Sequence, residues 1–210
     1  MQRDYLDLSI AYDIGQSVYI PLRHINDDND LFENKNNDDF PNQIEFEKAI
    51  NLIKPILEDP SILKIGHNIK FDMNVLRQNH NGNIKIFSVD DTMCMSYCTN
   101  LGKVQNHKLD TLAQTELNYV TIKYEDLCGK GVNQKTFDLI NPYEALNYAA
   151  EDSDVALALY QNLKLRLMSD KKYFVYQKLE RELISVLSDI ENEGIIVNEK
   201  TLNSLSETLT

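Results

Sequence analysis

Apolar and polar residues alternate through "LDLSIAYD" (6–13) and again through "SVYIPL" (17–22), with Gly15 between the two runs. A period of two in segments rich in Val, Ile and Tyr predicts a β-hairpin. The period lengthens in "QIEFEKAINLIKPILED" (43–59), where Phe46, Ile50, Ile53 and Leu57 recur at helical spacing and Pro55 disturbs the last turn. "SILKIGHN" (61–68) predicts a short buried strand ending at Gly66, and "FDMNVLRQN" (71–79) begins the helix after it. "IKIFSVDD" (84–91) predicts another strand, followed by a helix through "TMCMSY"; "HKLDTLAQTEL" (107–117) is an amphipathic helix. Asn141–Pro142 opens a long helix. After the polar break "MSDKKY" (168–173), Leu179, Leu183, Val186, Leu187 and Ile190 line one side of a helix over 175–194; Gly194 stops it and "IIVN" begins a strand. Residues 26–42 are polar and low in complexity, which predicts a long surface loop with Leu31 and Phe32 tucked in.

Strands alternating with helices after residue 60, behind an antiparallel hairpin, predict an α/β protein with a mixed sheet. With 210 residues, 42% of them apolar, the chain can build one core and a small appendage. No run of about eighteen apolar residues occurs, so no membrane span is expected, and "MQRDYLDLSI" lacks the apolar region of a secretory signal. Cys94, Cys98 and Cys128 form no CxxC pair, which suits a reducing cytoplasm. The net charge of −12 argues against gripping nucleic acid by charge alone. An acidic chain still acts on phosphodiesters when divalent ions supply positive charge locally.

The candidate chemistry lies in two stretches. In "NYAAEDSDVALALY" (147–160), helical spacing makes Tyr148 and Asp152 neighbours at i,i+4, with Glu151 close at i+3. Asp154 points elsewhere and reads as a solvated charge, while Ala149 and Ala150 permit close approach. In "GHNIKFD" (66–72), Gly66 frees the backbone at a strand-to-helix junction, Asn68 presents an amide, and Asp72 falls on the first helical turn. An acid there complements the helix dipole. Carboxylates at a strand end and on a separate helix are also the ingredients of a metal-assisted hydrolase. His24, His67, His80 and His107 lack partners at metal spacing, and Asp91 and Asp110, ahead of helical segments, read as N-caps.

Together, "GHNIKFD" and "YAAEDSDV" at this separation resemble the second and third motifs of the proofreading 3′–5′ exonuclease domains of bacterial DNA polymerase I, the tyrosine-bearing form of the DEDD group. "VYIPL", "HKLDTLA", "YEDLCGKGVNQKTF" and "LSDIENEGIIVNEKTL" extend the resemblance along nearly the whole chain. It implies a ribonuclease H-like three-layer α/β/α fold with a mixed sheet: an exonuclease domain over 1–168, a linker at 169–173, and over 174–210 a helical stub that starts the polymerase domain. It also implies two divalent ions, Mg2+ or Mn2+/Zn2+, held by four carboxylates at the scissile phosphate. Asp72 and Asp152 match two of these ligands, and Tyr148 matches the tyrosine that orients the attacking water; these three are the expected catalytic set. Asn68, Phe71, Tyr124 and Glu151 are the residues expected at the nucleic acid, Phe71 standing where the family often has Tyr and His67 where it often has Gln.

The family's remaining two carboxylates come from an Asp-x-Glu motif on the first strand. Aligning "YLDLSIAYD" with the family puts Met1 just beyond that motif, and Asp4 and Asp7 have the wrong spacing to replace it. The expectation is therefore a domain without its first strand, with weak or absent ion binding, little activity, and a bare sheet edge open to self-association. The implied partners are the 3′ end of single-stranded DNA and the rest of a polymerase chain, in a bacterial cytoplasm. Two other readings are a non-catalytic structural or nucleic-acid-docking module and an RNA-trimming relative of ribonuclease D; the polymerase-like tail speaks against the latter.

Overall fold

The structure, a computed structural model, describes residues 7–25, 40–79, 84–100, 102 and 104–209. The predicted placement of Leu31 and Phe32, and His80, lie outside the described residues.

The period-two segments form the hairpin: β1 (Leu8–Asp13) pairs antiparallel with β2 (Gln16–Ile20) in a register that sets Leu8 opposite Ile20. α1 (Phe46–Glu58) follows and buries Phe46, Ala49 and Ile50, with Pro55 inside it. These residues join Leu22, Leu76 and Ile84 in one core cluster, with Leu8 and Ile20 of the hairpin packed against it. β3 (Lys64–Gly66) pairs in parallel with β4 (Val89–Asp91), Gly66 lying opposite Asp91. The segment 84–91 is a strand only over its last three residues, shorter than the sequence predicts. Among the described residues the strands form two separate pairs, one antiparallel and one parallel.

α2 (Ile69–Asn79) leaves β3 and buries Ile69, Met73 and Leu76, a row at i, i+4 and i+7. The turn into it is tight. A Cβ on Gly66 would lie 2.9 Å from Cβ of Ile69, so only glycine lets the strand run this close to its own helix. α3 (Thr92–Asn100) follows β4, and α4 (Leu109–Leu117) and the short α5 (Tyr124–Cys128) precede the long α6 (Pro142–Ser169). Asn141 caps α6 by accepting from Tyr143 N at 2.9 Å, with Pro142 inside the first turn. α6 packs against both strand pairs and against α3 and α4. Its Val155, Leu159, Tyr160, Leu163 and Leu167 meet Met95, Leu112, Ala113 and Tyr176 in the other large cluster.

The chain then continues as α7 (Tyr173–Val175), a π-helical turn (Tyr176–Glu180) and α8 (Arg181–Glu193). The turn is anchored by buried Tyr176, whose hydroxyl donates to Asp90 Oδ1 at 2.9 Å and accepts from Asp91 N at 3.0 Å. Gly194, at φ 77°, ends α8 as expected. The predicted strand "IIVN" does not form: residues 194–198 belong to no strand or helix, and Ile195 and Ile196 are exposed. Three apolar residues after a glycine imitate a strand, but among the described residues nothing pairs with them. α9 (Glu199–Leu209) closes the described chain. No described helix is long and apolar enough to cross a membrane.

Candidate active site along the long helix

The acids of α6 divide by the side of the helix they occupy. Ala145, Ala149 and Ala156 are buried, and Asp152 falls on the same row, three residues after one alanine and four before the next. A carboxylate on a core-facing row loses water. Burial pushes Asp152 up to about 6, the charge of Glu151 adds to the rise, and a hydrogen bond from Tyr148 opposes it. Tyr148 and Asp152 are thus neighbours across one helical turn, with the phenol acting to hold the carboxyl down. Burial, and then the charge of Asp152, raises the Tyr148 phenol above its ordinary range.

The neighbouring acids are occupied elsewhere. Asp154 accepts from Gly15 N at 2.6 Å and holds the hairpin turn, so it is no free solvated charge. Ser9 Oγ donates to the Ala149 carbonyl on the same side. Glu151 accepts from Tyr119 OH and from Ile122 N, each at 2.7 Å, so both oxygens hold a neighbouring segment of the chain. Asp152 is the acid of this stretch whose neighbourhood is that of a reactive group.

Asp72 stands in the first turn of α2. The residue as a whole is exposed, yet protein around its carboxyl displaces enough water that desolvation pushes it up to about 7; its own backbone N–H opposes and the charge of Asp91 adds. Asn68, exposed at φ 61°, opens the turn, and its carbonyl accepts from Phe71 N at 2.8 Å; Phe71 is exposed beside Asp72 in the chain. Asp91 caps two helices at once. Its carboxylate accepts from Asn68 N and Ile69 N at the start of α2 and from Met93 N and Cys94 N at the start of α3. Asp110 is not a cap: Lys108 holds that position in α4, and Asp110, inside the first turn, accepts from Thr111 N.

Tyr124 lies against Tyr148, ring centroids 6.1 Å apart, and a third ring, Phe137, contacts both at 6.5 and 5.9 Å. Sequence reasoning missed Phe137. It ends the stretch "YEDLCGKGVNQKTF", in a short 3-10 turn with no periodicity to mark it. The described histidines serve the scaffold. His24 donates through Nδ1 to the Ile140 carbonyl and clusters with Tyr19 and Asp7; His67 Nδ1 meets Thr92 Oγ1 at 2.9 Å, and burial lowers its pKa; His107 stacks on Tyr97. Burial pushes the Cys94 thiol up to about 12, which leaves it unreactive.

Asp72 and Asp152 are hard oxygen donors of the kind Mg2+ takes, but such a cation wants several of them. Among the described residues no group of three or more His, Cys, Asp or Glu could hold an ion. The donor type fits a divalent metal; the donor number does not. One literal Asp-x-Glu, at 189–191, lies on α8, where Asp189 pairs with Arg77 and Glu191 with Lys70. Both carboxylates are engaged in the contact between α8 and α2.

A family profile described as 3′–5′ exonuclease matches residues 9–168, and the chain belongs to that family. Its curated relatives are more specific. DNA polymerase I of Rhizobium leguminosarum is 39% identical over 191 residues, 91% of this chain and 18% of the relative. DNA polymerase I of Pseudomonas aeruginosa is 35% identical over 210 residues, 99% of this chain and 22% of the relative. The chain thus spans about a fifth of the length of these two curated relatives. Among solved structures, Brucella melitensis NrnC superposes with a TM-score of 0.56 at 24% identity, over 69% of this chain and 65% of NrnC. NrnC with bound Mg2+ gives 0.54 at 18% identity, over 90% and 84%. These two likenesses establish the fold.

Proposed function

We propose that this chain is the proofreading exonuclease part of a bacterial, cytoplasmic DNA polymerase I, engaging the 3′ end of single-stranded or frayed DNA. Its ribonuclease H-like domain occupies residues 1–168, and residues 174–210, past a linker at 169–173, begin the polymerase domain. The observation that carries this reading is Asp152 on the buried row of α6, one helical turn from Tyr148, whose ring packs against those of Tyr124 and Phe137. The resemblance supplies two divalent ions held by four carboxylates, and Asp72 and Asp152 are half of that donor set. The residues present do the rest of the work. Tyr148 fixes the carboxyl of Asp152 and sets its hydroxyl where an attacking water is oriented. Asn68, in its left-handed turn, offers an amide to the strand. Phe71 and Tyr124 offer rings on which unpaired bases stack for about 1–3 kcal/mol each, indifferent to sequence, which suits an enzyme that must accept any mismatched end.

Asp72 and Asp152 by themselves would hold an ion weakly, because such a cation wants several oxygen donors. That shortfall favours a second reading, a docking module that holds a single-stranded end without cutting it. The two separate when a strand bearing Asp-x-Glu, taken from a curated relative, is appended ahead of Met1 and removal of a mismatched 3′ nucleotide is followed in Mg2+ or Mn2+. The exonuclease reading expects cleavage that Asp152→Ala abolishes. An inert extended chain that still binds the oligonucleotide selects the docking module.

A further inference from the structure

Glu151 precedes Asp152, but its carboxylate serves a different purpose. Between α4 and α5 the chain runs as an irregular strip, residues 118–123, that starts from the left-handed cap at Asn118. Tyr119 N bonds back to the Ala113 carbonyl, and Glu151 takes both the Tyr119 hydroxyl and Ile122 N. The strip's outer side is apolar and aromatic: Tyr119, Val120, Ile122 and Tyr124 are all exposed, Val120 at 71%. Lys123 stands exposed among them, a cation in a chain of net charge −12. Apolar and aromatic faces beside a cation, along the helix that carries Asp152, match the needs of an unpaired strand: surfaces for its bases and a counter-charge for a phosphate.

We infer that Glu151 is a positioning residue, a latch that pins residues 119–122 to α6 so that the strip from Tyr119 to Tyr124 forms the platform for the last unpaired nucleotides. The identity of the ligand rests on the exonuclease reading; the latch does not. Each of its two bonds runs to a charged acceptor, the stronger kind of hydrogen bond. Losing them frees the strip and, through it, the ring of Tyr124 against Tyr148.

The full 210-residue chain tests this by hydrogen–deuterium exchange over residues 118–124 and by anisotropy titration of labelled oligothymidylate in EDTA, where no cleavage intervenes. Glu151→Ala should speed exchange at Ile122 by tenfold or more and weaken oligothymidylate on the order of tenfold, the scale of a hydrogen bond to a charged group. Glu151→Gln keeps one acceptor and should recover much of both, and Tyr119→Phe, which removes one bond without touching α6, should fall between. Unchanged exchange in Glu151→Ala overturns the latch, and faster exchange with unchanged affinity overturns the platform. Tighter binding with unchanged exchange would mean that the carboxylate faces the strand directly, also against the proposal. If the unmodified chain binds no oligothymidylate, the exonuclease reading fails, while the exchange measurement still decides the latch.

Discussion

Asp91 holds the start of α2, which carries Asp72, together with the start of α3, and Asp91→Ala measures how firmly. The side chain is 2% exposed and accepts four backbone N–H groups: Ile69 N and Met93 N at 2.8 Å, Asn68 N and Cys94 N at 3.2 Å. Losing an N-cap costs about 0.5–2 kcal/mol. Here two helices lose theirs together and the freed donors lie beside a buried site, so the combined cost is about 2–4 kcal/mol. For a chain of this length each kcal/mol lowers Tm by about 2–4 °C, which puts the expected fall at about 5–15 °C. Asp91→Asn sharpens the test. Oδ1 serves Asn68 N, Met93 N and Cys94 N, whereas Oδ2 serves Ile69 N. An amide oxygen placed at Oδ1 keeps the cap of α3 and loses only the Ile69 bond, so its fall should be less than half that of the alanine. Thermal unfolding followed by circular dichroism reads both variants. A Tm for Asp91→Ala within about 2 °C of the parent would mean that the double cap contributes nothing and that the turn presenting Asp72 is held by other means.

Three further outcomes are expected. The carboxyl of Asp72 is raised from 3.8 to about 7, so the folded state holds the proton more tightly than the unfolded one; the resulting stability is present below about pH 4 and is lost as pH rises through 7. Asp72→Asn should therefore raise Tm at pH 8 in EDTA, with the gain vanishing near pH 4; an equal gain at both values would refute the shift. Tyr148→Phe deletes the hydrogen bond that holds Asp152 down, so that carboxyl, observed by carbon NMR, should titrate above about 6; an unmoved titration would remove the bond from the account. Gly66→Ala forces a Cβ to 2.9 Å from that of Ile69 and should cost about 1–3 kcal/mol in urea unfolding, a loss below about 0.5 kcal/mol showing that α2 shifts freely.

Much of this was legible from spacing. The hairpin, α1 and α6 follow the period of their apolar residues, and the Tyr148–Asp152 pair follows from one helical turn. The desolvation of Asp152 shows only in the structure, where buried Ala149 and Ala156 bracket it. Spacing does not say what lies across from a side chain. Asp154 reads as a solvated charge because its partner, Gly15 N, is 139 residues away in sequence, and Glu151 reads as ligand-facing because nothing nearby announces Tyr119 and Ile122 as its occupants. Phe137 was invisible for a related reason: it reaches Tyr148 from an aperiodic turn. "IIVN" misleads in the opposite direction, since an apolar run specifies a strand only when a neighbour offers it hydrogen bonds.

α8 meets α2 through charge and amide: Arg77 to Asp189, Lys70 to Glu191, and Asn74 to Ser188, Glu191 and Asn192, with Ile184 wedged against Ile69 and Met73. Its other side turns Leu183, Val186 and Ile190 outward. Three points of α2, at Lys70, Asn74 and Arg77, are tied to α8, so the helix that carries Asp72 takes part of its anchorage from a segment outside the matched exonuclease region.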